Sequence, residues 1–281
     1  MKSLVPSPQS LVPRIVDPSA TRHILKKFKL RAVKGLGQNF LIDADIVRGI
    51  VEAADICAGD EVLEIGPGIG TLTQGLLEAG AFVTAVEVDK KLPAVLKETL
   101  AGYENFRLVE GDILKINLAK LMPRRFKVVA NLPYYITTQI LLTLLEKDLP
   151  AVKIVTMVQR EVAERMTAAP GSKIYGALSV AVQFRSEPRI AFDVPPESFL
   201  PSPEVTSSVV VCDVRKPPVE VDEDFFFKVV RTAFAQRRKT LLNSLASFGK
   251  EKLLTSGIDV KRRAETLSLE EFAALATALQ K

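Results

Sequence analysis

Val62-Leu63-Glu64-Ile65-Gly66-Pro67-Gly68-Ile69-Gly70-Thr71 is the stretch on which the fold turns. Val62–Ile65 is a short, mainly apolar run of the kind that forms a buried strand. Three glycines at alternate positions follow, and a helical pattern then runs over Thr71–Ala79 to Gly80. Glycine lets a backbone turn tightly and approach a ligand without Cβ clashes, here beside a helix N-terminus. A strand, a glycine loop and a helix in that order predict the first unit of a parallel α/β sheet.

On both sides of this stretch the same alternation fills Asp43–Val214. Asp43 is a helix N-cap candidate, followed by Ile46, Val47, Ile50, Val51 and Ala54 at helical spacing. Strands are expected at 61–66, 81–88, 106–110, 127–131, 153–158, 177–184 and 207–214. Helices are expected between the first five, over 71–79, 90–100, 114–121 and 138–147. Strands this apolar, separated by helices, imply a mostly parallel, seven-stranded sheet covered on both faces. The last two runs lie close enough in sequence to pair antiparallel. Lys216-Pro217-Pro218 reads as a linker. Beyond it, helices over 223–234, 237–248 and 269–279 form a small all-α unit. The expected division is a flexible basic arm (1–34), a catalytic domain (35–214) and a helical domain (215–281). No internal repeat is present.

The strand ends carry the chemistry. Glu87 closes the second strand, where a carboxylate fits the two hydroxyls of a ribose. The loop reads G-x-G-x-G, without the third glycine placed for a dinucleotide's pyrophosphate. A nucleoside free of phosphate suits it better, which points to S-adenosylmethionine. Gly111-Asp112 follows the third strand, where a carboxylate can accept a hydrogen bond from an adenine amino group. The fourth strand ends in Asn131-Leu132-Pro133-Tyr134, the most specific signal in the chain. An exocyclic amino group on adenine is a poor nucleophile, because its lone pair is delocalised into the ring. The Asn131 amide oxygen and the Leu132 carbonyl can each accept one amino hydrogen and aim that lone pair at a methyl donor. Pro133 stiffens the turn, and Tyr134 offers a face on which a flipped base stacks.

Composition narrows the field further. The 281 residues include one His, two Cys and no Trp. His23 lies in a basic N-terminal stretch, so schemes built on Ser-His-Asp or Cys-His are not expected. A structural zinc site takes about four Cys/His ligands, and no metal site is expected. The net charge is +5, distributed as +7 over residues 1–40, −6 over 41–214, +6 over 215–263 and −2 over 264–281. An acidic block between two basic flanks suits a polyanion partner. No apolar run approaches the about 18 residues needed to span a membrane, and the expected location is cytoplasmic.

These segments together resemble the bacterial small-subunit branch of the ribosomal RNA adenine N6,N6-dimethyltransferases. The match covers Gly37–Leu41, Glu64–Gly70, Glu87–Asp89, Gly111-Asp112, Asn131–Tyr134, Phe199–Pro203 and Gln236–Leu241, in order over about residues 35–245. The resemblance implies a class I S-adenosylmethionine-dependent methyltransferase, a Rossmann-like α/β fold, with a small C-terminal helical domain. It puts cofactor contacts on Asn39, Leu41, Gly66, Gly68, Glu87, Asp112 and Asn131, and the catalytic set on Asn131, Leu132, Pro133, Tyr134 and Phe199. Tyr134 and Phe199 form its platform for the target base. Its implied reaction gives two methyls to each of two adjacent adenosines in a 3′-terminal hairpin of small-subunit ribosomal RNA. The implied partner is a partly assembled 30S subunit met by a monomer. Lys26, Lys27 and Lys34 on the arm and Arg237, Arg238 and Lys239 beyond the linker suit phosphate contact. Glu204 and Tyr135 depart from the family pattern, at positions that flank the proposed chemistry. A large-subunit adenine methyltransferase and a non-catalytic RNA-binding assembly factor are the alternatives.

Overall fold

A computed structural model of the chain describes residues 14–30, 38–146, 149–236 and 238–280. Helix α1 (Pro18–Lys27) begins with proline in its first turn, where the missing N–H costs nothing. Ahead of it, Ile15 and Val16 are 2% and 8% exposed and belong to the main core. The Ile15 N–H donates to Gln74 Oε1 at 2.9 Å, and the Thr21 hydroxyl donates to the Ile15 carbonyl at 2.8 Å. Residues 14–30 are therefore folded, against the expectation of a flexible arm. Ile24, Leu25 and Phe28 supply an apolar face that packs on the core, and this outweighs the basic character of the segment.

Strand β1 (Phe40–Leu41) leads into α2 (Ala44–Ala53), whose N-cap Asp43 accepts the Asp45 and Ile46 N–H groups. The repeating βα units follow: β2 (Glu61–Ile65), α3 (Thr71–Glu78), β3 (Phe82–Glu87), α4 (Leu92–Thr99), β4 (Phe106–Glu110), α5 (Leu118–Leu121), β5 (Phe126–Asn131), α6 (Thr137–Glu146) and β6 (Ala151–Gln159). Then come α7 (Arg160–Thr167), α8 (Ala177–Arg185), β7 (Ser186–Val194), β8 (Phe199–Leu200) and β9 (Ser207–Val214). The large sheet has seven strands in the order β4-β3-β2-β5-β6-β9-β7. Strands β2 to β6 run parallel, while β9 is antiparallel to both β6 and β7. The chain order reverses between β2 and β5, the place where such sheets open a crevice at their carboxyl ends.

Alternation along each strand divides the core. Val62, Val129 and Val155 face one apolar layer, whereas Leu63, Val128 and Ile154 face the other. Covered on both sides, these strands read as continuous β-branched runs, which is why the sheet was readable from sequence.

The run 177–184, expected as a strand, is instead helix α8. Leu178 and Val182 join the layer beneath the sheet, while Val180, Ala181 and Phe184 join a third core. A helix wedged between two apolar layers is hydrophobic all round, and a short apolar run of that kind carries no period to separate helix from strand. The seventh strand is β7, which among the described strands pairs only with β9 and so tolerates Pro188 at the sheet's edge.

The third core belongs to α9 (Glu223–Ala235), α10 (Leu241–Ser244), α11 (Lys250–Leu254) and α12 (Leu269–Gln280). Phe226 and Phe227 pack on Phe184 with ring centroids 4.9 and 5.2 Å away. The helix expected over 237–248 is broken: α10 covers only four residues, and Ala246–Phe248 is a 3₁₀ turn.

Candidate active site

Past Ile65 the chain enters the left-handed region at Gly66 (φ +70°) and again at Gly68 (φ +61°), a conformation in which a side chain is strained. The Gly66 N–H donates to the Val86 carbonyl at 2.9 Å, fixing the loop against β3. A Cβ on Gly68 would lie 3.6 Å from the Phe40 ring, whereas one on Gly66 would meet nothing within 4 Å. The glycine loop thus has β1 over one side and open space at its first turn. A cleft lies there, lined among others by Gln38, Asn39, Leu41, Glu64, Gly66, Gly68, Glu87, Asp112 and Asn131–Tyr135. Gly66, Glu87, Asp112 and Asn131 come from four successive strand ends, as the sequence indicates.

Three carboxyl side chains enter this cleft, and no Lys, Arg or His is found among its described lining residues. Glu87 is 5% exposed and accepts the Asp89 N–H at 2.8 Å and the Gly68 N–H at 3.4 Å. Burial pushes its carboxyl above the ordinary range, while those N–H donors favour the ionised form. Asp112 accepts the Leu114 N–H at 3.1 Å and lies 3.6 Å from the Lys115 ammonium. Glu64 is 1% exposed, and its Oε2 has no hydrogen-bond partner. Burial pushes Glu64 up to about 8, with Glu87 adding to the shift. A cleft lined by carboxyl groups and by no described cation disfavours a pyrophosphate and suits a cationic, phosphate-free nucleoside. S-adenosylmethionine fits it: Glu87 closes the strand after the glycine loop, Asp112 lies one strand further along, and Gly66 leaves the backbone approachable.

At the other end of the cleft, β5 finishes in Asn131 and the chain turns. The Leu132 N–H donates to the Met157 carbonyl at 3.2 Å, continuing the ladder to β6. The Thr137 hydroxyl and the Ile136 N–H both donate to the Pro133 carbonyl, at 2.9 and 3.2 Å. Asn131 Nδ2 donates to the Asn39 carbonyl at 3.3 Å, which commits the amino side of the amide and leaves Oδ1 as the acceptor for a ligand. The half-buried Tyr134 shares a 2.6 Å hydrogen bond with the Ser207 hydroxyl. Burial raises its phenol above the ordinary value, so it stays protonated at neutral pH.

Two distant motifs meet beside this turn. Strands β1 and β8 pair antiparallel, Phe40 with Leu200 and Leu41 with Phe199. The Ile42 N–H donates to the Ser198 carbonyl, and the Ser198 hydroxyl to Asp43 Oδ2, both at 2.9 Å. This pairing places Asn39 and Leu41 in the cleft. It does not place Phe199 there: Phe199 is 3% exposed, packs in the main core and is absent from the described lining. The expected second platform for the base is a core residue in this structure, buried in the same apolar cluster as Phe40 and Val194.

Of the expected RNA contacts, Lys34 and Arg237 lie outside the described residues. Lys26 and Lys27 are exposed on α1, and Lys27 is ion-paired with Glu98. Arg238 and Lys239 are exposed in the turn before α10, not on the first turn of a long helix. Sequence reasoning missed Ser207, which carries no motif, and Gln38, whose amide donates to Asp89 Oδ2 at 2.9 Å. Glu64 was legible only as part of the loop. Among the described residues, no group of three or more His, Cys, Asp and Glu is placed to hold a metal ion.

Residues 29–281 match the family model for ribosomal RNA adenine dimethylase. The chain is 47% identical over 283 residues to a "Ribosomal RNA small subunit methyltransferase A" of Alkaliphilus oremlandii, covering 95% of this chain and 99% of the relative. It is 49% identical over 284 residues to the protein of the same name from Moorella thermoacetica, covering 95% and 99%. Among solved structures, a dimethyladenosine transferase from Plasmodium falciparum superposes with a TM-score of 0.71 at 27% identity, over 84% of this chain and 95% of that one. The 23S rRNA methyltransferase ErmE superposes with a TM-score of 0.67 at 24% identity, over 86% of this chain and 100% of that one, a likeness of fold.

Proposed function

The chain belongs to the ribosomal RNA adenine dimethylase family, and from that premise we propose that its cleft dimethylates two adjacent adenosines in a 3′-terminal hairpin of small-subunit ribosomal RNA. The protein is an S-adenosylmethionine-dependent methyltransferase, and the bound cofactor supplies an electrophilic methyl group. Every other requirement falls on the chain. Glu87 holds the ribose hydroxyls and Asp112 the adenine amino group of the cofactor, with Asn39, Leu41, Gly66 and Gly68 shaping the pocket. Asn131 Oδ1 and the Leu132 carbonyl accept the two N6 hydrogens of the target, holding the nitrogen nearer pyramidal. Pro133 fixes the turn, and the Tyr134 ring takes the base. No residue acts as a base, because the proton leaves nitrogen readily once the methyl group has been added.

One observation carries this reading: Asn131 Nδ2 is bound to the Asn39 carbonyl at 3.3 Å. That bond supports Oδ1 as the atom offered to the substrate. An acceptor built into the sheet costs no reorganisation at the moment of reaction.

The helical segment 215–281 forms the RNA-gripping domain, through Arg238 and Lys239 and, in the sequence beside them, Arg237. Lys26, Lys27 and Lys34 add phosphate contacts from the N-terminal side. The substrate is a partly assembled 30S subunit, met by a monomer in the cytoplasm, where ribosomal subunits are built. No described helix is long and apolar enough to cross a membrane.

The test is methyl transfer from labelled S-adenosylmethionine to unmethylated small and large subunits, with dimethyladenosine mapped in the RNA. Two adjacent dimethyladenosines near the 3′ end of the small-subunit RNA are expected. Label confined to the large subunit overturns the proposal.

A further inference from the structure

The three carboxyl groups of the cleft are not equivalent. Glu87 accepts two backbone N–H groups and Asp112 accepts one beside Lys115. Glu64 Oε2 accepts none, and the Thr71 hydroxyl, also on the cleft wall, is equally without a partner. An ionised carboxylate buried without donors is costly, and such a group keeps its proton instead. The surroundings of Glu64 offer little relief. Ala85 of β3 and Val129 of β5 stand beside it in the sheet, both apolar. From α3 the Thr73 hydroxyl favours the ionised form, but no hydrogen bond of ordinary geometry joins them. Glu87 is the charged group that bears on it, and its sign favours the neutral acid.

We propose that Glu64 is the charge sensor of the cofactor cleft, holding a proton in the free protein and releasing it to solvent when the cofactor's sulfonium enters. The inference rests on the reading of this cleft as the S-adenosylmethionine site. A cation entering a buried site stabilises the carboxylate over the acid, so cation binding and proton loss are linked. Methyl transfer turns the sulfonium into a neutral thioether and removes the charge that kept Glu64 ionised. Glu64 then takes a proton back from solvent, and the cleft no longer favours its occupant. The same group thus separates cofactor from spent product, which differ in little but a methyl group and that charge. Glu64 is a positioning residue here, acting on the cofactor's charge and not on the reacting nitrogen.

The test is calorimetric titration of the full-length, cofactor-free protein at pH 7, in two buffers of different ionisation enthalpy. S-adenosylmethionine and S-adenosylhomocysteine are titrated separately. A group titrating near 8 is mostly protonated at pH 7, so proton release approaching one per S-adenosylmethionine is expected, with clearly less for S-adenosylhomocysteine. From pH 6 to 8 the affinity for S-adenosylmethionine rises by up to tenfold per unit, while that for the thioether stays nearly flat. Glu64→Gln binds S-adenosylmethionine with no such release and no such slope. Equal proton counts for the two ligands, or a count that survives in Glu64→Gln, overturn the sensor. The comparison of ligands on the unaltered protein decides the matter even where the variant does not fold. Failure of S-adenosylmethionine to bind at all overturns the cleft assignment instead, and the sensor falls with it.

Discussion

Tyr134, in the turn after β5, and Ser207, the first residue of β9, share a 2.6 Å hydrogen bond between their hydroxyls. A loop at the mouth of the cleft is thereby tied to a fully buried position of the sheet. Removing this bond while keeping the ring, as in Tyr134→Phe, loses about 1 kcal/mol of positioning. The expected fall in kcat/KM is about fivefold, and Ser207→Ala should match it. Tyr134→Ala also loses the stacking face, worth roughly 1–3 kcal/mol per base, and should raise KM for RNA by ten- to a hundredfold. Steady-state methylation of unmethylated small subunits separates these outcomes.

Asn131→Ala removes the acceptor aimed at N6. Loss of one preorganised polar group of this kind costs on the order of 10²–10³ in rate. Methylation should fall by that factor while RNA affinity, measured by filter binding, stays within about twofold. Turnover at the unaltered level removes the amide from the mechanism.

Phe199→Ala tests a core residue against a stacking residue. With the ring 3% exposed among core side chains, truncation should destabilise the fold by about 3–5 kcal/mol. Urea denaturation gives that quantity directly. A stability change under about 0.5 kcal/mol, with RNA affinity lost, returns Phe199 to the cleft.

Ile15→Ala asks whether the N-terminal segment is folded. A residue 2% exposed in the main core should cost about 2–5 kcal/mol on truncation. A position on a flexible arm stays within about 0.5 kcal/mol. The same urea titration distinguishes them.

Glu64 also leaves a mark on stability. Its carboxyl is raised in the fold from 4.5 to about 8. Between those values the unfolded chain has given up the proton while the folded one keeps it, so the contribution of Glu64 is fully present below 4.5 and lost as pH rises towards 8. The melting temperature of the cofactor-free protein should therefore fall more steeply between pH 5 and 8 than that of Glu64→Gln. Parallel curves for the two proteins contradict the buried acid.

The parallel sheet and its strand-end residues were readable because local sequence decides them. Buried parallel strands are continuous apolar runs, and Gly66, Glu87, Asp112 and Asn131 follow such runs directly. Helix α8 was not readable, because Leu178 and Val182 meet one apolar layer while Val180 and Phe184 meet another. The helical period vanishes when every face is buried. The fold of residues 14–30 was hidden in a similar way, since a basic stretch with a few apolar residues reads as an arm until something covers Ile15 and Val16.

Local sequence sets the order of βα units, the glycine loop, the acids at successive strand ends and the Asn131–Tyr134 turn. Each is set within a few residues by periodicity, backbone freedom and side-chain chemistry. How those pieces constrain one another depends on long-range packing. Asn39 lies against Asn131, and Phe199 lies in the core. Ser207 meets Tyr134 across 73 positions of chain, and Glu64 Oε2 is left buried without a donor. Contacts between segments so far apart, and the solvent they exclude, are properties of packing, which no local pattern records.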